Sequence, residues 1–233
     1  MKSAVLIFLA ISWSIIGFGC DKSSENPIVV TYPQGADLLG LNRDHQLRYV
    51  IYDTLVTFYP DYSVDVDTTF INVDIISGHG DQVQLSANGT ARDLLTLDDV
   101  GVLHSGQIRL NAAPPDTLYY VPTPVILPRF YTIGTTFYIT TPLFVTDTGE
   151  IRTSFLNLNY GFFTERSFIE QSEVILPTSS YDAYHFRSHI FLNELSTDTL
   201  ITADEYYADG VGLVMLASKA AATRRLIILL ADN

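Results

Sequence analysis

Cysteine is almost absent from the sequence: Cys20 is the only one in 233 residues. A single thiol cannot form a disulfide within the chain, and it excludes zinc sites built from several cysteines. Positive charge is also scarce, because 13 Lys and Arg stand against 26 Asp and Glu, for a net charge of -13. This balance argues against a nucleic-acid partner and against charge-driven binding to anionic membrane surfaces. It fits an acidic soluble protein equally well.

Long apolar runs are limited to the start of the chain, where the only tryptophan, Trp13, is also found. Residues 4–18 are uncharged and mostly apolar, but about 15 residues are fewer than the roughly 20 that a membrane-crossing helix needs. Lys2 precedes this run, and Gly-Phe-Gly-Cys ends it before a polar stretch. The pattern predicts a secretory signal peptide over residues 1–19, cleaved between Gly19 and Cys20.

Residues 17–20 resemble the bacterial lipobox, in which the cysteine thiol receives a diacylglycerol. Gly17 departs from the family pattern, which prefers an aliphatic residue three positions before the cysteine. The resemblance implies that Cys20 is lipidated, that residues 20–32 are the lipidated cysteine and its tether, and that the protein is anchored in the bacterial cell envelope. It leaves the choice of inner or outer membrane open. A buried thiol, an uncleaved membrane anchor and cleavage without lipidation are the alternative interpretations.

Residues 33–233 are predicted to form a single β-rich domain. The chain is 47% hydrophobic and 17% charged, which provides enough apolar residues for a sizeable core. Apolar side chains alternate in most segments, as in Leu47 and Tyr49, and Asn88-Gly89 is a strong signal for a hairpin turn. The expected fold is therefore mainly β: a curved antiparallel sheet, either a half-barrel or a sandwich, with little helix beyond the signal segment.

Three local features refine this expectation. Residues 114–128 hold five of the ten prolines, which predicts an extended connection or edge strands and a possible boundary between halves 33–113 and 129–233. A change in apolar parity along the second strand predicts a bulge near residues 68–69. Residues 91–102 are the one place where a short helix is expected.

The C-terminal part of the chain is similar to a family of uncharacterised bacterial envelope lipoproteins. Residues 205–214, Glu-Tyr-Tyr-Ala-Asp-Gly-Val-Gly-Leu-Val, resemble a hairpin of that family, and residues 176–184 resemble its approach. Ser179-Ser180 stands where the family usually has glycine, and Met215 where it usually has lysine. The resemblance covers about the last 60 residues. It implies a curved sheet related to the half-barrels of lipoprotein carriers, with a concave apolar face able to hold a lipid or acyl chain.

No segment carries a known catalytic or cofactor-binding motif. Asp209, Gly210 and Gly212 predict a tight turn with positive φ rather than a phosphate site. His185 and His189 lie on a predicted strand, which separates them by roughly 13 Å and places them too far apart for one metal ion. We therefore expect no catalytic residue, no metal site and no cofactor.

Two pairs of acids, Asp65 with Asp67 and Asp98 with Asp99, could supply oxygen ligands to calcium. Neither pair has the glycine and the distal glutamate of a calcium-binding loop, so we expect solvated carboxylates. The sequence also lacks a Gly-x-Ser-x-Gly, an HExxH and a phosphate-loop motif.

Three functions are compatible with the sequence. The first is a lipid-anchored envelope protein without catalytic activity, which holds an apolar small molecule or an envelope protein on a sheet face. The second is a surface adhesion or glycan-binding β-sandwich, in which exposed tyrosines stack on sugars: Tyr119, Tyr120, Tyr206 and Tyr207. The third is a hydrolase, which would need a fold that brings a histidine beside a serine and an aspartate.

Overall fold

A computed structural model of the protein describes residues 34–57, 63–77, 82–87, 91–110, 116–140, 143–146, 151–152, 163–192 and 195–232. Within these stretches, one short helix, α1 (Gly35–Leu38), precedes fifteen β-strands. The strands are β1 (His45–Thr57), β2 (Ser63–Ser77), β3 (Gln82–Ala87), β4 (Ala91–Leu97), β5 (Gly101–Arg109), β6 (Asp116–Val121), β7 (Val125–Pro128), β8 (Thr136–Thr140), β9 (Leu143–Thr146), β10 (Ile151–Arg152), β11 (Phe163–Ile175), β12 (Ser180–Phe191), β13 (Thr199–Ala208), β14 (Gly212–Lys219) and β15 (Thr223–Asp232). No described helix is long and apolar enough to cross a membrane.

All the described strands belong to one antiparallel sheet, which confirms the predicted fold class. Their order is β10-β9-β6-β5-β4-β3-β2-β1-β15-β14-β13-β12-β11-β8, with β7 paired to β5. The first and the last strands of the chain, β1 and β15, therefore meet in the middle of the sheet. The proline-rich stretch contributes β6 and β7, both of which pair with β5.

The sheet curves strongly between its terminal strands, β10 and β8, which are not paired with each other among the described residues. In a flat sheet the nine steps from β5 to β11 would span roughly 43 Å. Yet the guanidinium of Arg166 in β11 donates a 3.0 Å hydrogen bond to the carbonyl oxygen of Ile126 in β7, the partner of β5. This contact requires the sheet to bend around an interior.

The hydrophobic core fills that interior. It includes buried side chains from both sides of the strand order, among them Tyr49, Leu95, Phe168, Phe186 and Leu229. The face of the sheet that carries these side chains is the inner face, and the opposite face is the outer face. Successive residues alternate between the two faces, as expected for strands with one buried side.

The segment that contains α1 covers one end of the interior. Gly40 in this segment has a φ of 66°, and a Cβ atom added there would lie 2.5 Å from the carbonyl oxygen of Val211. Gly35 is similarly close to Leu127 and Pro128 of β7. Only a residue without a side chain permits the approach at Gly40. We call this the closed end of the sheet, and the end where β14 leads into β15 the open end.

The prediction of a short helix within residues 91–102 is wrong. These residues form β4, a turn and the start of β5. Leu94 and Leu95 look helical as an apolar pair, but they pair across the sheet with Gln84 and Val83 of β3. The side chain of Asp98 accepts hydrogen bonds from the backbone amides of Val100 and Gly101, which favours a hairpin over a helix.

The predicted bulge near residues 68–69 is also wrong, because β2 keeps an unbroken register with β1. The apolar parity changes for another reason. Val64 and Val66 point to the outer face and are exposed, whereas Ile71, Val73 and Ile75 point to the inner face. At the open end, Asp65 and Asp67 therefore occupy the inner positions of β2.

Candidate functional site

A groove lies on the inner face of the sheet at the open end. Its volume is about 510 Å³, within the usual range for sites that bind small molecules. The inner-face side chains that line it come from β1, β2, β13, β14 and β15: Asp53, Leu55, Asp65, Asp67, Ile201, Ser218 and Arg225. The arrangement combines an apolar surface with charged edges.

The groove exists because the inner face changes from large to small side chains along the strands. Next to the core, one row of inner positions runs across neighbouring strands through Ile227, Leu216, Glu205 and Phe186. The next row toward the open end begins with Arg225 and continues with the small residues Ser218, Ala203 and Ser188. These small side chains leave unfilled space inside the curved sheet, since interiors are otherwise packed as densely as organic crystals.

Leu55 shows that this part of the inner face is not closed. It has the same parity as the buried residues Leu47 and Tyr49 of β1, yet it is 47% exposed. Ile201 on β13 is half-buried in the same groove. Apolar side chains at inner positions thus line a surface that a bound apolar molecule could cover.

The charged edge of the groove is built around one ion pair. Arg225 donates hydrogen bonds from Nε and Nη2 to the two carboxylate oxygens of Asp53, at 2.6 and 2.9 Å. The hydrogen bond from Arg225 lowers the pKa of the Asp53 carboxyl below its ordinary value. Asp67 lies opposite Asp53 on β2, and Asp65 lies one inner position further along. The groove edge is therefore more negative than positive.

A buried polar cluster lies on the inner face of β11, β12 and β13. Arg166 donates from Nη2 to Glu205 at 2.5 Å and to the Tyr207 hydroxyl at 2.8 Å, in addition to its bond to Ile126. The Tyr207 hydroxyl donates to Glu205 at 2.5 Å, and Ser188 donates to the other carboxylate oxygen at 2.9 Å. Both Glu205 oxygens are thus satisfied, as a buried carboxylate requires.

The electrostatics of this cluster keep Arg166 charged. Burial opposes the charged guanidinium, but Glu205 and Tyr207 outweigh it and hold the pKa of Arg166 above its ordinary value. Burial also raises the pKa of the Tyr207 phenol, so this residue stays a neutral hydrogen-bond donor. The guanidinium lies 5.3 Å from the ring centre of Phe186 and 5.9 Å from that of Phe137. Arg166 and Glu205 therefore form a structural ion pair beside aromatic rings.

The outer face of β12 and β13 carries a second polar cluster. The Nε2 atom of His185 lies 2.7 Å from a carboxylate oxygen of Asp204, which also accepts a 2.8 Å hydrogen bond from Arg187. The His185 ring stacks on Tyr206 at 4.5 Å between centroids. Burial alone would raise the pKa of Asp204, but the bonds from His185 and Arg187 lower it overall. Among the described residues, no serine or threonine hydroxyl is hydrogen-bonded to His185.

A second groove, of about 710 Å³, lies on the outer face near the same end of the sheet. Tyr52 forms part of its wall, and Asp204, Lys219 and Arg224 supply charged groups. This groove is more polar than the inner one. Within the described residues, no group of three His, Cys, Asp or Glu side chains is placed to hold a metal ion.

Several residues singled out from the sequence lie outside the described part of the chain. These are Gly19 and Cys20 at the predicted cleavage site, and Asn88 and Gly89 of the predicted hairpin turn. The strands on either side of residues 88–90, β3 and β4, are paired antiparallel.

The other sequence candidates are dispersed over the sheet. Asp209 and Gly210 lie between β13 and β14, and Gly212 begins β14, with φ angles of 69° at Gly210 and 110° at Gly212. The side chain of Asp98 accepts two hydrogen bonds from backbone amides of its own turn. The carboxylates of Asp65 and Asp67 are exposed at the groove edge.

The four tyrosines of the glycan hypothesis do not form one exposed surface. Tyr120 and Tyr207 are buried, and Tyr206 is half-buried against His185. Tyr119 is exposed. The burial of Tyr120 raises the pKa of its phenol to about 12. Two of the four rings therefore cannot stack on a sugar.

Sequence reasoning missed Arg166, Asp53 and Arg225. The only signal for Arg166 was that this single arginine of β11 shares the parity of Phe168. Its partners come from β7 and β13, and no local pattern indicates them. Asp53 and Arg225 are 172 positions apart, so their pairing depends on the meeting of β1 and β15.

No family model and no curated protein matches the chain. Three solved structures were found, and their TM-scores are all below 0.4, at 10–11% sequence identity.

One is the hypothetical lipoprotein YmcC of Escherichia coli, with a TM-score of 0.36 and 11% identity over 78% of this chain and 86% of that one. Another is a protein of Parabacteroides distasonis predicted to be a lipoprotein, with a TM-score of 0.38 and 10% identity over 87% and 100%. The third is a protein of Bacteroides fragilis with a YmcC-like fold, predicted to be exported, with a TM-score of 0.34 and 10% identity over 87% and 98%.

Proposed function

We propose that this chain is a lipid-anchored protein of the bacterial cell envelope that holds an apolar ligand in the inner groove and performs no catalysis. The observation that carries the proposal is the groove itself, where Leu55 and Ile201 line an open stretch of an otherwise packed inner face. Sites for small molecules commonly combine an apolar contact surface with polar groups that fix the orientation of the ligand.

The groove edge restricts the ligand class further. Asp53, Asp65 and Asp67 line the groove from β1 and β2, and Arg224 and Arg225 line it from β15, with Arg225 paired to Asp53. Three carboxylates against two guanidinium groups leave this lining net negative, which is unfavourable for the carboxylate of a free fatty acid. The geometry favours a neutral apolar molecule, such as a diacyl or isoprenoid chain with its polar group directed to solvent.

A matched pair of arginine variants tests this function. Leu55 on the inner face and Val64 on the outer face are both 47% exposed, so Leu55→Arg and Val64→Arg disturb the surface equally. In protein produced without the anchor, the neutral dye N-phenyl-1-naphthylamine should bind to the wild type and to Val64→Arg. Leu55→Arg should weaken binding at least about tenfold, because it places a charge in the apolar contact surface. Equal dye binding by both variants contradicts the groove as the site.

The anchor has its own test. The mass of the intact protein extracted from membranes should exceed that of the cleaved polypeptide by a diacylglycerol, and Cys20→Ala should remove the added mass. An unmodified mass for the wild type would refute lipidation without affecting the groove.

A glycan-binding role is the second candidate, and the outer groove is the observation that favours it. Tyr52 offers an exposed ring beside Thr54, Thr202 and Asp204, the mixture of aromatic and polar groups that sugars require. Retention of the protein on immobilised cell-wall polysaccharide, abolished by Tyr52→Ala and not by Leu55→Arg, would establish this role. The absence of any retention would exclude it.

A further inference from the structure

Three exposed apolar side chains project from neighbouring loops at the closed end. Val100 lies in the turn between β4 and β5, and Phe130 and Ile133 lie in the loop between β7 and β8. They are 55%, 73% and 63% exposed. The two loops are in contact, because the backbone amide of Arg129 donates a 2.8 Å hydrogen bond to the carbonyl oxygen of Val100.

Contacts with the core hold the loop that carries Phe130 and Ile133 in place. Tyr131 points into the core and packs against Phe168 and Phe186, with ring centroids 4.9 and 5.3 Å away. The amide of Gly134 donates to the carbonyl oxygen of Phe168 at 2.9 Å. Phe130 and Ile133 are therefore displayed by an anchored loop and are available to a partner.

The described chain begins beside these loops. A Cβ atom on Gly35 would lie 3.0 Å from both the Cβ atom of Leu127 and the carbonyl oxygen of Pro128, two residues before Phe130. Gln34, Gly35 and Arg129 line one pocket with Gly101, which follows Val100. The segment from Cys20 thus enters the domain next to Val100 and Phe130.

The length of that segment limits how far the closed end can be from the membrane. The 14 residue steps from Cys20 to Gln34 span at most about 50 Å even when fully extended. An acyl chain on Cys20 already holds the protein at the bilayer. The loops then contact the lipid at a high effective concentration, so a small apolar surface is sufficient for docking. The open end lies a further length of β1, roughly 40 Å, from the closed end.

We propose that the closed end is a membrane-docking surface, in which Val100, Phe130 and Ile133 insert into the lipid bilayer that holds the Cys20 anchor. This inference rests on the anchor in the proposed function, but not on the groove. Arg129 adds a headgroup partner, because its guanidinium lies 5.2 Å from the Phe130 ring centre and could bind a lipid phosphate. Asp98 and Asp99 are exposed in the same turn, so apolar contact provides the attraction and anionic lipid does not.

Spin labels in the full-length acylated protein, reconstituted into vesicles of phosphatidylethanolamine and phosphatidylglycerol, test the inference. Acylation consumes the only native thiol, so a single added cysteine is labelled selectively. Ile133→Cys reports on the closed end. Leu195→Cys is the matched control, because Leu195 is 93% exposed but lies between β12 and β13 at the open end.

We expect the label at position 133 to collide frequently with oxygen and rarely with a water-soluble nickel chelate, the signature of lipid contact. The label at position 195 should show the reverse. In a Phe130→Ser/Ile133→Ser protein labelled at Val100→Cys, lipid contact should weaken by about tenfold for each apolar side chain removed.

The other outcomes overturn the inference, and they differ from a failure of the anchor. Acylated protein in which positions 133 and 195 are equally accessible to the nickel chelate refutes docking and leaves the anchor intact. Low collision with both reagents at position 133 means that protein covers the surface, and dipolar coupling between labels would identify a second copy. An intact mass without acyl chains refutes the anchor and, with it, the docking that depends on it.

Discussion

Replacement of Arg166 by methionine should be among the most destabilising single substitutions in this protein. The change removes three hydrogen bonds, to Ile126, Glu205 and Tyr207, and leaves the largely buried carboxylate of Glu205 without its positive partner. Loss of one member of a buried ion pair costs about 3–5 kcal/mol. With a urea slope of about 2 kcal/mol/M, the unfolding midpoint should fall by roughly 1.5–2.5 M.

The control for this prediction is Arg48→Met. Arg48 is exposed on the outer face, and its guanidinium lies 5.7 Å from the ring centre of Phe70. A surface contact of this kind is worth about 0.5–1 kcal/mol or less. Circular dichroism should be used to monitor the urea unfolding of both variants. Tryptophan fluorescence cannot report on the domain, because the only tryptophan lies within residues 1–19.

A double-mutant cycle provides the decisive comparison. Glu205→Gln alone should also be costly, because it leaves Arg166 charged and buried. Arg166→Met with Glu205→Gln should destabilise by less than the sum of the single changes, with a coupling energy of at least about 1.5 kcal/mol. Additive free energies, or a cost below about 1 kcal/mol for Arg166→Met, would show that the pair is not the structural element inferred from its contacts.

Three further predictions test other parts of the fold. Burial lowers the pKa of the His45 imidazole below 6.5, so the unfolded chain binds a proton more readily and stability should fall below pH 6.5, by at most about 1.4 kcal/mol per pH unit. His45→Leu should flatten this dependence in thermal melts between pH 7 and 5. Gly40→Ala should cost clearly more than Gly210→Ala, since both have positive φ but only at Gly40 would the new Cβ meet a carbonyl oxygen, at 2.5 Å. Asp53→Asn should cost less than about 1 kcal/mol in urea unfolding, and added salt should reduce the difference, because the ion pair with Arg225 is solvent-exposed.

The strand content and the curved antiparallel sheet could be predicted from the sequence because they depend on local alternation. Leu47 and Tyr49 share a parity in the sequence and are both buried in β1. The helix predicted within residues 91–102 failed because Leu94 and Leu95 are adjacent, which blurs the difference between a period of two and a period of 3.6. Their pairing with β3 resolves that ambiguity, and it is a tertiary contact.

The candidate groove could not be predicted because it depends on residues far apart in the chain. Ser218 and Ala203 are unremarkable small residues in sequence, and they create space only because their strands pair at that position. Asp53 meets Arg225 only because β1 lies beside β15. These pairings depend on the order of all the strands in the sheet, and a single sequence carries little local signal for that order.

The groove and the chain entry lie at opposite ends of the same strands, and this separation constrains how a ligand arrives. Gly212 at the start of β14 lies beside the segment that contains α1, whereas Ser218 and Ala220 at its end line the groove. If the closed end rests on the bilayer, the groove opens roughly 20–40 Å above it, given about 3.3 Å per strand residue. An acyl chain in the bilayer cannot bridge that distance while it remains among the lipids. If both proposals hold, a ligand would have to reach the groove through the aqueous space or from a second protein that meets the open end.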